Sequence, residues 1–139
     1  VGLDIVRAAD GEAQLYLWLG SFALSREVQR EMDGPLTSGP GVQWFVALDE
    51  GAVVGFCSLR AERAVYWFDY VYVVPERRGQ GVHTRLAQAR EDYLATLPPH
   101  SVNVCCRTRR WPHYARRGFN IKRRRGDWIY GVRHEPAGE

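Results

Sequence analysis

The chain has no apolar run approaching the roughly 20 residues that cross a bilayer, and residues 1 to 10 carry charges where a secretory leader carries an apolar core. Both absences predict a soluble, intracellular protein of the cytoplasm that does not engage a membrane. Cysteine is scarce. Cys57, Cys105 and Cys106 are an odd number, two of them adjacent, and none stands in a Cys-x-x-Cys pair or at a metal-ligand spacing. The three are read as buried thiols in strands, and no metal site is expected. Internal repeats and low-complexity tracts are also missing.

What remains is ordinary for a globular protein. The chain has 139 residues and is 45% hydrophobic, enough for one core, so residues 1–139 are expected to form a single domain. Net charge is only +3, but it is unevenly spread. Residues 1–69 hold 5 basic and 10 acidic side chains, and residues 70–139 hold 14 basic and 6 acidic. Such a division suits an enzyme that joins a polyanionic cofactor to a cationic second substrate, and it also arises by chance.

The most informative stretch is Phe68 to Leu86. The strand Phe68-Asp69-Tyr70-Val71-Tyr72-Val73-Val74 stops at Pro75 and is followed by Arg77-Arg78-Gly79-Gln80-Gly81 and a helical run. A strand that feeds a glycine-rich turn into a helix is a phosphate cradle. Glycine lets the backbone approach an anion, and the first helical turn offers unpaired N–H groups at the positive end of the dipole. A nucleotide P-loop needs Lys and Ser or Thr after its last glycine, and Val82-His83 stand there instead. A dinucleotide fold needs a third glycine and an acidic residue about 20 positions on. Glu91 and Asp92 come too early and inside the helix.

Periodicity supplies the remaining elements. Leu3 to Arg7 reads as a strand, with Asp10 as N-cap of a helix that Gly20-Ser21 interrupts. Ser25 caps a second helix, Arg26 to Met32, and Thr37 to Gly41 is a loop. Val42 to Leu48 and Ala52 to Leu59 flank the hairpin signal Asp49-Glu50-Gly51, and a long strand runs from Val65 to Val74. The helix after the glycine turn ends at Pro98-Pro99, and Ser101 to Cys106 is a buried strand. Thr108 caps a helix from Arg109 to Arg117 that Gly118 stops, and Phe119 to Lys122 and Trp128 to Val132 close the chain as strands before a frayed tail, Glu135 to Glu139. This order gives an α+β fold with one mixed central sheet flanked by helices.

Two motifs carry a resemblance. Arg78-Gly79-Gln80-Gly81-Val82-His83, after a Val-x-Val-x-Pro strand end, resembles the acetyl-CoA-binding signature of the GNAT superfamily of N-acetyltransferases: Gln or Arg, two residues, Gly, one residue, then Gly or Ala. His83 departs from that last position. Tyr114-Ala115-Arg116-Arg117-Gly118-Phe119 is similar to the family's Tyr-x-x-x-Gly-Phe, and the element order from Leu3 to Val132 is that of the GNAT fold.

The resemblance implies that Val71 and Val73 pair with the pantetheine arm of acetyl-CoA as an added strand. Arg77, Arg78, Gly79, Gln80, Gly81, Val82 and His83 then cradle the pyrophosphate, with Arg85 near it. It implies Tyr114 as general acid at the thioester sulfur, since a phenol with pKa near 10 stays protonated at neutral pH. Thr108, Arg110 and His113 depart from the family around that tyrosine. Asp69, read by period two on the same face as Val71 and Val73, is either a general base or a strand-edge charge in an ion pair. Glu62, His83 and His113 are lesser candidates for the base.

The acceptor is left open. Asp10, Glu12, Glu27, Glu31 and Asp33 form a carboxylate-rich rim suited to a small-molecule amine or a protein amino group. From Arg107 to Arg125 nine basic residues interleave with Trp111, His113 and Tyr114, which suits nucleic acid. A nucleic-acid-directed transferase, a nucleic-acid-binding module and a non-catalytic acyl-CoA sensor are the alternatives. Trp128-Ile129-Tyr130 is a candidate edge for homodimer pairing.

Overall fold

The computed structural model describes residues 2–98 and 100–135. Pro99 and residues 136–139, where part of the expected helix stop and most of the expected tail fall, lie outside the described residues. The chain opens with strand β1 (Leu3–Ala9), helices α1 (Ala13–Ala23) and α2 (Arg26–Glu31), and the hairpin β2 (Val42–Asp49) and β3 (Ala52–Glu62). Two short strands follow, β4 (Val65–Phe68) and β5 (Val71–Val73), then helix α3 (Val82–Leu94) and strand β6 (His100–Arg107). The short helix α4 (Trp111–Ala115) and strands β7 (Asn120–Arg125) and β8 (Trp128–Glu135) complete it.

All eight strands join one sheet, in the order β1-β2-β3-β4-β6-β8-β7, with β5 paired to β3. The pairing is antiparallel except between β4 and β6, so the sheet is mixed, as expected. One face packs on α3 and α4 through Phe45, Leu59, Phe68, Leu86, Val102 and Val104. The other face is covered by α1 and α2 only over β1, β2, β3 and β5, through residues such as Leu15, Trp44, Phe56 and Tyr72.

The expected long strand is broken, and the break is the main correction. Phe68, Val71 and Val73 pack toward α3, whereas Tyr70 and Tyr72 pack toward α1 and α2. Asp69 pairs with Arg60, which lies over the ring of Trp67 on that second face. Asp69 and Tyr70 are therefore one residue too many for strict alternation, a bulge that resets the face. The expected parity of Asp69 with Val71 and Val73 is wrong for this reason.

Two buried side chains stabilise the bulge. The Tyr70 N–H donates to Ser58 Oγ (3.2 Å), and its carbonyl accepts from Ser58 N–H (3.0 Å) and from Arg90 (3.4 Å). Arg90 also donates to the Ser58 carbonyl (3.0 Å) and lies 3.7 Å from the Phe68 ring centroid. Ser58 is only 1% exposed. Ser58→Ala is therefore expected to cost about 1–2 kcal/mol by orphaning the Tyr70 donor, read as a lower urea midpoint at unchanged m value.

The split has a consequence for the sheet. β4 pairs β3 through Val65 to Trp67 and runs parallel to β6, whereas β5 pairs only β3, so the sheet opens between β5 and the end of β6. Helix α3 closes tightly over this region. A Cβ on Gly55 would stand 2.8 Å from the Tyr72 carbonyl and 3.2 Å from Val82, so glycine there sets how closely the start of α3 approaches the sheet.

Smaller differences have local causes. Asp10 does not cap α1; Glu12 is the N-cap residue, and Asp10 instead accepts from Ser38 (2.6 Å). Gly20 stays helical within α1. Thr108 starts a 3-10 turn, Thr108–Arg110, and its hydroxyl bonds Asp127 rather than capping a helix. β8 is flanked by β6 and β7, so Trp128-Ile129-Tyr130 is not an edge; β7 is.

Candidate active site

A cleft of about 510 Å³ opens where the sheet splits, bounded by β5, the glycine turn, the start of α3 and the segment from Arg109 to Tyr114. Its strand wall follows from the hydrogen-bond alternation of β5. The Tyr70 carbonyl and the Val74 N–H bond β3, so the even-numbered residues turn their peptide groups to the sheet. Val71 and Val73 turn theirs to the cleft.

The floor is the glycine turn. Gly79 (φ +78°) and Gly81 (φ +86°) hold left-handed backbone, and nothing lies within 4 Å of where a Cβ on either would stand. Gly81 is the N-cap of the 13-residue α3, whose first bond runs from Arg85 N–H to Gly81 O. The N–H groups of Val82, His83 and Thr84 therefore have no acceptor within the helix. An extended arm bearing amides and a pyrophosphate fits this combination of a strand edge unpaired by any neighbouring strand and a helix N-terminus.

The arginines divide differently from the expectation. Arg77 bonds Asp49 (2.6 Å) and Gln80 (3.0 Å). Arg78 turns from the turn to α2, donating to both Glu31 oxygens (2.8 and 2.9 Å) and through Nε to the Val73 carbonyl (2.8 Å). Arg109 and Arg116 also line the cleft, and neither has a carboxylate partner among the described residues. Glu31, Asp33 and Asp49 thus neutralise Arg78, Arg107 and Arg77, which ties the acidic first half of the chain to the basic second half.

Tyr114 stands at the inner end. It is 7% exposed, sits edge-on to Phe119 (centroids 5.6 Å apart), and burial pushes its phenol pKa up. Its hydroxyl has no hydrogen-bond partner among the described residues. A second, smaller hollow of about 60 Å³ lies beside Asp33, Asp69, Cys105, Arg107 and Trp128. The two hollows share Glu31, Val71, Arg110 and Tyr114. Asp69 reaches the second hollow but is held by Arg60 (2.7 Å), while Glu62 lies outside both and also bonds Arg60 (2.6 Å).

His83 occupies the place where the resemblance wants a small residue. Its ring packs edge-on against His113, with centroids 4.7 Å apart, and Arg117 donates to His113 Nδ1 (2.9 Å). That bond requires an unprotonated Nδ1, so His113 is neutral with its proton on Nε2. Burial, then the Arg117 charge, lowers its pKa to about 4, and burial lowers His83 as well. The unfolded chain therefore binds a proton below about pH 6.5 that the folded chain refuses until about pH 4. Stability present above pH 6.5 is lost as pH falls through that window. Because the ring is only half-buried, screening limits the loss to about 1 kcal/mol. A urea midpoint that falls between pH 7 and pH 4.5, less steeply in His113→Gln, checks it.

Arg90 and Ser58 stand in no motif of the sequence, although Arg90 carries a signal. It stands four residues after Leu86 on the apolar stripe of α3, where a charge is out of place unless it bonds inside. The cysteines are as expected in kind: Cys57 and Cys106 are buried, Cys105 is half-buried, and burial raises all three thiols, Cys106 to about 11. No cluster of metal-ligating side chains occurs among the described residues, and no helix among them is long and apolar enough to cross a membrane.

The family model for the acetyltransferase (GNAT) family matches residues 11–119. Comparison with curated proteins gives no match. Among solved structures, an acyl-CoA N-acyltransferase from Pseudomonas aeruginosa superposes with a TM-score of 0.74 at 18% identity, covering 94% of this chain and 99% of that one. The ribosomal-protein-S18-alanine N-acetyltransferase from Escherichia coli gives 0.71 at 14% identity, covering 98% and 97%. A GNAT family acetyltransferase from Elizabethkingia anophelis with acetyl-CoA bound gives 0.65 at 12% identity, covering 96% and 99%.

Proposed function

The chain belongs to the acetyltransferase (GNAT) family, and from that premise we propose that residues 1–139 form one cytoplasmic N-acetyltransferase domain acting on a primary amine of a small molecule or protein. The amine attacks directly in a ternary complex. The observation that supports this is the meeting of two hollows at Tyr114 and Val71. Ligands in two adjoining hollows would lie side by side at Tyr114, the proximity that direct transfer requires.

Acetyl-CoA supplies the thioester. Val71 and the Val73 N–H hold its arm along the cleft edge of β5, and the N–H groups from Gly79 to Thr84 hold the pyrophosphate, with Arg109 and Arg116 adding charge. Tyr114 donates a proton to the departing sulfur. On the acceptor side Asp69 borders the second hollow and takes the amine proton directly or through water.

Calorimetric titration with acetyl-CoA, followed by thiol release with a panel of acceptors, tests the proposal. The panel holds a diamine, a lysine peptide and an alanine-terminated peptide, the last because one structural relative is a ribosomal-protein-S18-alanine N-acetyltransferase. Saturable acetyl-CoA binding with amine-dependent thiol release is expected. Absence of acetyl-CoA binding overturns the proposal.

A further inference from the structure

The sheet face turned toward α1 and α2 is covered only on one side. No residue of β4, β6, β7 or β8 belongs to the core beneath those helices. On the uncovered half a trough of about 380 Å³ runs between Trp67 and Tyr130 over Asn103, with Lys122 and Arg123 along its rim. Alternation brings these residues together. Trp67 is in register with Asn103, Cys105 with Tyr130, and Tyr130 with Arg123 across β4, β6, β8 and β7.

Each half-buried ring on this half of the face carries an arginine. Arg60 lies 5.2 Å from the Trp67 ring centroid, Arg123 4.5 Å from Tyr130, and Arg107 4.1 Å from Trp128. Arg60 and Arg107 are neutralised, the first by Glu62 and Asp69, the second by Asp33 and Asp127. Lys122, Arg123, Arg124 and Arg125 have no acidic partner among the described residues, and every residue of β7 is exposed. Charge on an edge strand alone guards against unwanted pairing. That role does not need a row of rings on the adjoining face.

We infer that this half-sheet is a docking platform for single-stranded RNA, with β7 as a phosphate rail and Tyr130 and Trp67 as stacking surfaces for unpaired bases. Four adjacent cations without an acidic partner among the described residues complement a phosphate backbone, and rings with guanidinium planes lying over them stack bases of any sequence. A flat sheet face does not enter a duplex groove, and unpaired bases are the ordinary state of RNA loops and ends. The platform adjoins the second hollow along the same strands, since Asp69, Cys105 and Trp128 each lie two residues from Trp67, Asn103 and Tyr130. It does not depend on the donor cleft.

The test is fluorescence anisotropy of the full chain with a labelled 12-nucleotide RNA of mixed sequence, the same sequence as DNA, its RNA duplex, and heparin as competitor. Binding of the single-stranded RNA is expected, weakened about 5- to 100-fold by Tyr130→Ala or Trp67→Ala, with the salt slope kept. The double variant Lys122→Gln, Arg125→Gln is expected to lower the salt slope, since Arg125 is in register with Trp128 on the platform's own face. Acetyl-CoA titration of each variant checks that it is folded, and it separates failure of the platform from failure of the acetyltransferase reading. No RNA binding, binding indifferent to both ring variants in folded protein, or equal binding of the DNA or the duplex overturns the inference.

Discussion

Gly81→Asp is expected to raise the Kd for acetyl-CoA at least about 100-fold, a loss of about 2.7 kcal/mol, while the protein stays folded. The fold tolerates the side chain because nothing lies within 4 Å of the new Cβ. Its cost there is the left-handed backbone at φ +86°, about 1–2 kcal/mol for a residue with a Cβ. Binding suffers twice. A carboxylate at the N-cap accepts from the N–H groups of the first turn of α3, the donors that the cradle offers to phosphate, and it sets a like charge beside the pyrophosphate. Gly81→Asn separates the two effects, since asparagine caps equally well without charge and accepts left-handed backbone more readily. An intermediate loss with Asn is expected. Unchanged affinity in a folded Gly81→Asp protein places acetyl-CoA elsewhere.

Legibility of the fold followed the range of the interactions. Hairpins, the glycine turn and the caps at Ser25 and Gly118 are set by neighbours in sequence, and these elements stand where the residues place them. Asp10 fails as a cap because Ser38, from a distant loop, engages it. The split strand fails for the same reason. Nothing local in Phe68-Asp69-Tyr70-Val71 announces a bulge, and the groups that satisfy it come from Ser58 and Arg90.

The candidate site shows the same division. The glycine turn and Tyr114 are legible because each lies in a short motif, and the structure brings them to one cleft. Arg78 reads as a phosphate ligand from its position in the motif, yet Glu31, 47 residues earlier, draws its side chain across β5. Its hold on the Val73 carbonyl occupies one of the groups offered to the donor arm.

Tyr114→Phe is expected to lower kcat about 100-fold with the Kd for acetyl-CoA changed less than about threefold. The substitution removes one oxygen and keeps the ring that packs on Phe119 and His113. Because the hydroxyl has no partner among the described residues, its loss orphans nothing they contain, and the melting temperature is expected to hold. Burial raises the phenol pKa, so the proton is present across the neutral and mildly alkaline range where the acceptor amine loses its own. A general acid of this kind contributes roughly 10²- to 10⁴-fold. The wild-type rate is expected to climb with pH as the amine deprotonates, with no loss from the phenol below about pH 10. The Phe variant, which relies on water for the sulfur proton, follows the same amine titration from a lower level. Equal kcat in wild type and variant removes Tyr114 from the proton path and leaves its ring as a wall between the two hollows. A variant whose acetyl-CoA affinity collapses with its rate assigns the hydroxyl to binding the donor.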